Sequence, residues 1–186
     1  MEAIEDVQER ANVKWILIVA GVVVFVALAA VAIGASLPKE HTATRSARFR
    51  ESPDVIWSTL TGFAQYPEWR STVKSVEILP PVNGMAAWRE ADSHGNAIPY
   101  VLVESDAPRR MTTRITDPKL PFGGTWTFEI TPDAGGGSSV RITEHGEVYN
   151  PLFRFVSRYM MGYTATIDVY LKALGAKFGE TPVLEN

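Results

Sequence analysis

The first apolar pattern in this chain is a long run without charge. No charged residue lies between Lys14 and Lys39, and the 23 residues from Trp15 to Leu37 are almost all apolar or small. A helix of this length spans roughly 34 Å, which is enough to cross a hydrocarbon core of about 30 Å. The pattern predicts an acidic tail at 1–14, a transmembrane helix at 15–37 and a short connector at 38–40.

The second pattern is alternation, which is typical of strands that are buried on one face. His41 to Phe49 reads as a strand, and Ser52 and Pro53 then mark the start of a short helix, with Ser52 as its N-cap. Runs rich in Val, Ile, Thr and aromatic residues follow, separated by Gly, Pro and Asn. They predict strands at 73–79, 85–92, 98–106, 111–116, 124–131 and 138–148.

The third pattern is helical. From Pro151 to Phe178, apolar residues recur at intervals of three and four, which predicts one amphipathic helix of roughly thirty residues with Asn150 as its N-cap. An antiparallel sheet must bury its apolar face, and this helix is the available cover. We therefore expect an α+β domain at 41–180, in which a long C-terminal helix covers a curved antiparallel sheet, and a tail at 181–186.

The composition excludes several classes of function. The chain has no cysteine, so it has no disulfide, thiolate metal site or cysteine nucleophile. After the apolar run there are 16 basic and 17 acidic residues and no basic stripe, which argues against nucleic acid. His41 beside the bilayer, His94 in a turn and an external His145 lack metal-site spacing. No metal or cofactor is predicted, and the expected partners are a lipid bilayer and a hydrophobic small molecule.

The residues on either side of the apolar run indicate whether it is cleaved and how it is oriented in the membrane. A signal peptide has a basic start and a shorter apolar core, whereas this start is acidic and the core is long, so we interpret the run as an uncleaved anchor. Two basic residues precede the run, and four follow within about fifteen residues, at Lys39, Arg45, Arg48 and Arg50. This balance favours a single-pass protein of a bacterial cell membrane with the domain in the cytoplasm.

Three features of the domain form a recognisable combination. They are the helix start Ser52-Pro53-Asp54-Val55-Ile56-Trp57, the segment Phe63-Ala64-Gln65-Tyr66-Pro67-Glu68-Trp69 with Val73 and Val76 after it, and a closing strand that runs into a long helix. The combination resembles the START-like, or SRPBCC, superfamily, and within it the polyketide cyclase/dehydrase and lipid-transport group. The resemblance implies a helix-grip fold around an apolar cavity. It implies no single chemistry, because the superfamily includes cyclases, hydrolases, lipid carriers and binding proteins.

Strand alternation nominates side chains for the inner face of the sheet. The candidates for ligand contact share that face or lie on the helix stripe, and they are Tyr100, Leu102, Met111, Trp126, Phe128, Ile142, Glu144, Tyr159 and Tyr163. Apolar walls with a few polar groups suit a hydrophobic ligand with one polar end. The same periodicity marks an ordinary filled core, so both interpretations stay open.

Glu144 is the candidate for acid–base chemistry, and Glu104 is a second acid of the same kind. An acid on an apolar strand face has its charged form disfavoured, which raises its pKa and suits general acid or base work. The alternative is that Glu144 forms an ion pair with Arg114 or Arg154, or lies at the rim in water.

The start of the last helix offers a further surface. It carries Phe153, Arg154, Phe155 and Arg158. Aromatic and basic residues together suit an edge that faces a membrane. Arginines at a spacing of four also form an ordinary solvated helix face.

Three functions follow from these patterns. The first is a membrane-anchored domain that binds a lipid or other hydrophobic small molecule without catalysis. The second is a polyketide cyclase or dehydratase that uses Glu144 as acid or base, with Tyr159 or Tyr163 as a helper. The third is a membrane-tethered scaffold with a filled core.

Overall fold

A long apolar helix opens the structure. The computed structural model describes residues 2–186, with side chains from residue 12 onward. Helix α1 covers Glu2–Ser36, so the acidic tail and the apolar run form one continuous helix. Its segment Asn12–Ser36 is long and apolar enough to cross a membrane, and the most apolar stretch is not buried against the domain. A membrane span and a signal sequence share this character.

Most of the remaining elements lie close to their predicted bounds. The strands are β1 Glu40–Phe49, β2 Ser75–Val82, β3 Met85–Ala91, β4 Ala97–Asp106, β5 Arg110–Ile115, β6 Phe122–Pro132, β7 Ser138–Val148 and β8 Leu184–Glu185. The helices after α1 are α2 Pro53–Thr61, α3 Tyr66–Trp69, α4 Pro151–Val156 and α5 Ala165–Lys177, with a 3₁₀ turn at Phe63–Gln65 and a π turn at Ser157–Met161. Ser52 holds the N-cap position of α2 without a side-chain hydrogen bond, whereas the Asn150 side chain accepts from two backbone N–H groups of α4.

The strands form one antiparallel sheet in the order β2-β3-β4-β5-β6-β7-β1-β8. The first strand therefore lies beside the seventh, and the pairing from Glu40 with Glu147 to Phe49 with Ser138 has no shift. This register carries one face of β1, β6 and β7 toward the helices.

Helices α2 and α5 cover the inner face of the sheet and close its core. The side chains that are fully buried are Ala47, Ile56, Leu60, Met111, Val140, Ile142, Ile167, Leu171 and Leu174. Burial of each large apolar side chain stabilises the fold by about 1.5–3 kcal/mol relative to exposure. These residues pack into a single cluster, which fixes the sheet against α2 and α5.

A buried polar network closes the β2–β3 end of this core. Arg70 Nη1 lies 3.0 Å from both carboxylate oxygens of Glu90, and the Trp88 indole N–H donates to the same carboxylate at 3.0 Å. The Arg70 guanidinium also lies over the rings of Tyr66 and Tyr170, 4.7 and 4.8 Å from their centroids. Both charges are paired, as the low dielectric of a core requires.

The continuous C-terminal helix predicted from the periodicity is wrong. Helix α4 ends at Val156, the π turn follows, and Gly162 then has φ +80° and ψ 149°, outside the helical region. Helix α5 begins only at Ala165. Glycine adopts this conformation because it has no Cβ, so the chain changes direction between a helix that contacts α1 and one that covers the sheet.

Helix α4 packs against the end of α1. Gly34 is buried there, and a Cβ at this position would collide with the backbone of Pro151. Arg154, which is only 7% exposed, donates a hydrogen bond of 2.7 Å to the carbonyl oxygen of Leu37. The last turn of α1 is thus fixed to the folded domain.

Glu104 does not lie on the inner face as predicted. A register shift between Leu102 and Glu104 inserts an extra residue into β4 opposite β5. The carboxylate is turned outward, where it accepts hydrogen bonds from Arg110 and Thr112. A bulge of this kind reverses the faces of the residues that follow it.

The predicted tail at 181–186 contributes a short strand. Glu185 and Leu184 pair with Ser46 and Ala47 of β1. The sheet therefore ends on β8, beyond the bounds of the domain predicted from the sequence.

Candidate functional site

A half-buried group of polar and aromatic side chains lies where β1, β6 and β7 meet the break between α4 and α5. Cross-strand register builds it, because Trp126 lies opposite Glu144, Glu144 lies opposite Ala43, and His41 lies opposite Gly146. These positions share the inner face of the sheet. The inner cluster, as we name it, consists of His41, Tyr100, Trp126, Glu144 and Tyr163, all of them partly buried.

Glu144 is the acid of the inner cluster. Its side chain is 18% exposed, and burial raises its pKa above the ordinary value, an effect that a hydrogen bond from Trp126 partly offsets. The raised pKa predicted from the strand pattern is therefore confirmed. Arg114 and Arg154, the predicted alternatives, are not its ion-pair partners among the described side chains. Instead, His41 Nε2 lies 4.0 Å from Glu144 Oε1.

His41 is the member of the cluster that the sequence analysis missed. Its ring stacks on Tyr163 with centroids 4.0 Å apart and planes 15° apart. Burial lowers the pKa of His41, so the imidazole is mostly neutral at pH 7 and its contact with Glu144 is not an ion pair at that pH. Gly146 makes room for the ring, since a Cβ there would lie 2.6 Å from His41 Nε2. That glycine, opposite His41 on β7, is the sequence signal that would have indicated the site.

Tyr163 reaches the inner cluster because the C-terminal helix is interrupted just before it. Gly162 turns the chain, and the Tyr163 ring then packs on His41 of β1. Arg158 lies nearby, with its guanidinium carbon 5.8 Å from the centroid of the Tyr163 ring. Tyr159, in contrast, is 59% exposed and does not join the cluster.

Tyr100 and Trp126 connect the inner cluster to the aromatic core. Tyr100 stacks on Trp88 with centroids 5.5 Å apart, and Trp126 meets the edge of Tyr170 at 5.7 Å. Burial raises the pKa of Tyr100, and neighbouring carboxylates, including that of Glu144, raise it further. The Tyr100 hydroxyl has no hydrogen-bond partner among the described side chains, so it can donate to a ligand oxygen.

The other predicted ligand contacts lie deeper in the molecule. Leu102, Met111, Phe128 and Ile142 belong to the buried core and are at most 8% exposed. They pack against the covering helices, so a ligand reaches them only by displacing core side chains. Their role as ligand contacts stays a prediction.

The remaining histidines lie where alternation placed them. His94 is exposed in the turn between β3 and β4, and His145 is exposed on the outer face, 3.1 Å from the Thr42 hydroxyl. A depression of about 460 Å³ on that outer face is lined by residues such as Arg114 and Thr125, and it includes no member of the inner cluster. In the described part of the chain, no group of three or more His, Cys, Asp and Glu side chains is placed to hold a metal ion.

The inner cluster combines two chemical properties. Aromatic walls with a few polar atoms suit an apolar ligand that has one polar end. A carboxyl of raised pKa beside a neutral imidazole also provides groups that can accept or donate a proton. The 4.0 Å separation of Glu144 Oε1 and His41 Nε2 is longer than a hydrogen bond, so no direct hydrogen bond joins the two groups.

Solved structures share this fold. The chain is similar to a START superfamily protein from Mycobacterium smegmatis, with a TM-score of 0.60 and 17% identity over 74% of this chain and 96% of that one. It is also similar to the protein XoxI from Bacillus cereus, with a TM-score of 0.56 and 21% identity over 76% and 96% of the two chains. Norcoclaurine synthase from Thalictrum flavum has a TM-score of 0.59 and 13% identity over 80% and 91%. These similarities show the START-like fold.

A family comparison assigns the domain. A search of curated proteins found no match. The family model described as polyketide cyclase / dehydrase and lipid transport, however, matches residues 40–176, which include every strand from β1 to β7 and nearly all of α5. This fold supports a ligand-binding or cyclase-type domain. The chain therefore belongs to the polyketide cyclase/dehydrase and lipid transport family.

Proposed function

We propose that this protein is a membrane-anchored START-like domain that binds a lipid or another apolar small molecule without catalysis. The observation that carries the proposal is the half-buried inner cluster at the end of the sheet where α1 joins the domain. Aromatic rings of Trp126 and Tyr163 supply apolar contact, and Glu144 and Tyr100 supply polar atoms for one end of a ligand.

The anchor is supported by the composition and the exposure of α1. The segment Asn12–Ser36 has 25 residues, and its most apolar part is not buried in the domain. Exposed apolar surface of this extent is unfavourable in water and favourable in a bilayer. The excess of basic residues after the segment supports a domain in the cytoplasm. A reporter that is active only outside the cytoplasm, fused to the C-terminus, should be inactive, and strong activity would contradict this orientation.

Ligand binding is tested with the full chain in nanodiscs. Monoolein serves as the probe, because it has one apolar chain and a neutral head with hydroxyl groups. Native mass spectrometry of the released protein should show a monoolein adduct. Glu144→Leu removes the acceptor for those hydroxyls, and we expect monoolein binding to weaken by about tenfold, the size of one charge-assisted hydrogen bond.

The matched control is Glu104→Leu, which makes the same replacement on the outer face. This variant should bind monoolein as the parent chain does. A parent chain that stays free of adduct at every monoolein concentration contradicts the proposal and favours a scaffold with a filled core. Equal weakening by the two substitutions contradicts the assignment of Glu144.

A second function, acid–base catalysis on a polyketide-like or aromatic substrate, is favoured by the raised pKa of Glu144 beside His41. Of the two predicted helpers, Tyr163 is the one that the structure brings to the cluster. The measurement is a carbon NMR titration of the Glu144 carboxyl. A pKa in the ordinary glutamate range would remove the basis for this second function, whereas binding of monoolein does not depend on it.

A further inference from the structure

Five apolar side chains are exposed together on α4 and the π turn. Their exposed fractions are 40% for Leu152, 46% for Phe153, 59% for Tyr159, 74% for Met160 and 59% for Met161. We name this set the α4 apolar surface. Single exposed apolar residues are ordinary, but a contiguous group of this kind marks a surface that contacts another apolar phase or partner.

The α4 apolar surface is attached to the last turn of α1. Pro151, the first residue of α4, contacts Gly34 so closely that no side chain fits between them. Arg154, one turn later, donates to the Leu37 carbonyl at 2.7 Å and is almost fully buried. Its guanidinium satisfies a carbonyl group that α1 leaves unpaired at its C-terminal end. These two contacts fix the direction of α4 relative to α1.

The length of α1 sets the level at which α4 begins. If Trp15 marks one boundary of the hydrocarbon core, a rise of about 1.5 Å per residue brings the other boundary near Gly34, roughly 30 Å further on. Gly34 is the residue that contacts Pro151. Helix α4 therefore starts where the hydrocarbon core ends, and the residues after it lie at the same level as lipid headgroups.

We propose that the α4 apolar surface lies in the headgroup region of the bilayer that α1 crosses and forms a second contact between the domain and that bilayer. The inference rests on the membrane anchor of the proposed function. Lipid is the occupant because α4 packs on α1 at Gly34, where neighbouring apolar side chains of α1 such as Val31 and Ile33 are also exposed. Arg158, which is exposed in the same segment, is available to lipid phosphates, as basic residues of interfacial helices are.

This second contact brings the inner cluster close to the bilayer. Tyr163 follows Met161 and Gly162 directly, and it stacks on His41 of the cluster. With the α4 apolar surface in the headgroups, the inner cluster lies next to the lipid contact, because Tyr163 is two residues from Met161. An apolar ligand then has a short path between the bilayer and the cluster.

The experiment uses the absence of cysteine from the chain. Single cysteines are introduced by Met160→Cys, Phe25→Cys and Ile78→Cys, and each is labelled with the environment-sensitive fluorophore NBD. The full chain is placed in nanodiscs of phosphatidylcholine and phosphatidylglycerol that contain doxyl-labelled lipid. Position 25 reports on the anchor, and position 78 is an exposed apolar control site on β2, with 59% exposure against 74% for Met160.

We expect doxyl lipid to quench position 160 at least about threefold more than position 78, because the apolar face of an interfacial helix is buried about 5–10 Å into the boundary between headgroups and acyl chains. Quenching at 25 together with equal, weak quenching at 160 and 78 overturns the second contact and leaves the anchor intact. The absence of quenching at 25 overturns both proposals. Protection of position 160 from aqueous iodide without doxyl quenching identifies a protein partner or a second copy, and it also overturns the proposal.

Discussion

Two acids on the inner face of the sheet, one at each end, have different surroundings. At the β2–β3 end, Glu90 accepts from Arg70 and Trp88 at 3.0 Å. At the β1–β7 end, Glu144 lies 4.0 Å from a mostly neutral His41, and no lysine or arginine among the described side chains forms an ion pair with it. Both carboxyls interrupt an apolar face, but only the first has its charge compensated. The partner, more than the burial, distinguishes an acid that holds the fold together from one that is available to a ligand.

The largest effect is expected when the buried ion pair between Arg70 and Glu90 is broken. Glu90→Ala leaves the buried Arg70 guanidinium and the Trp88 indole N–H without an acceptor, and we expect the free energy of unfolding to fall by about 3–5 kcal/mol. Denaturant unfolding of the full chain in detergent measures the change. The matched control is Glu77→Ala, which removes an exposed ion pair with Arg89 on the same two strands and should cost at most about 1 kcal/mol. Equal losses in the two variants would mean that the buried pair is not structural.

A smaller effect is expected at Gly162, where the chain is interrupted between α4 and α5. Gly162→Ala forces a side chain into φ +80°, and this conformation should cost about 1–3 kcal/mol. Gly135→Ala is the control, because a Cβ there meets nothing within 4 Å and the residue does not have a positive φ. It should shift the free energy of unfolding by less than about 0.5 kcal/mol. A Gly162→Ala variant with unchanged stability and more helical signal by circular dichroism would show that the break is not required.

The smallest expected effect is a pH dependence of the free energy of unfolding, which arises from the Glu144 carboxyl. The folded-state pKa of Glu144 lies above the ordinary value of 4.5, so between these two values the folded chain keeps a proton that the unfolded chain has lost. The free energy of unfolding therefore falls as pH rises through that window, and the loss is complete above the folded-state pKa. His41 has the opposite sign, because its lowered pKa makes the fold gain stability as pH rises toward 6.5.

Glu144→Gln should abolish the fall in the free energy of unfolding and leave the rise that is due to His41. Denaturant unfolding at a series of pH values measures both. The control is Glu104→Gln, since Glu104 is exposed and its pKa is lowered by hydrogen bonds from Thr112 and Arg110. That variant should keep the fall that Glu144 causes. If the parent chain and Glu144→Gln have the same pH profile, the Glu144 carboxyl is not desolvated.

Strand alternation predicted the sheet well for a physical reason. Strands such as β7 bury nearly every second residue, and Gly, Pro or Asn residues lie between most of the strands, so both the period and the ends are local properties of the sequence. Glu104 was misplaced because a bulge in β4 adds one residue, which no period can indicate. The two-residue strand β8 is too short to show a period at all.

The interruption between α4 and α5 and the position of His41 in the inner cluster were not predicted from local sequence pattern. Tyr159, Tyr163 and Ile167 keep a helical spacing across Gly162, so the sequence predicts one helix. In the structure the helix is interrupted at Gly162, and its first part, α4, packs on α1. Glu144 was found because an acid on an apolar strand face is a local signal. His41 was not, because its partners Glu144 and Tyr163 lie more than a hundred residues later in the chain.

The pairing of β1 with β7 also sets an order of events during synthesis. Residue Glu40 leaves the ribosome about a hundred residues before its partner Glu147. At about 5–20 residues per second, β1 stays without its neighbour for roughly 5–20 s after it is made. Helix α1 precedes β1 in the chain, so it is already complete during that interval. The apolar helix can therefore enter a bilayer before β1 pairs with β7.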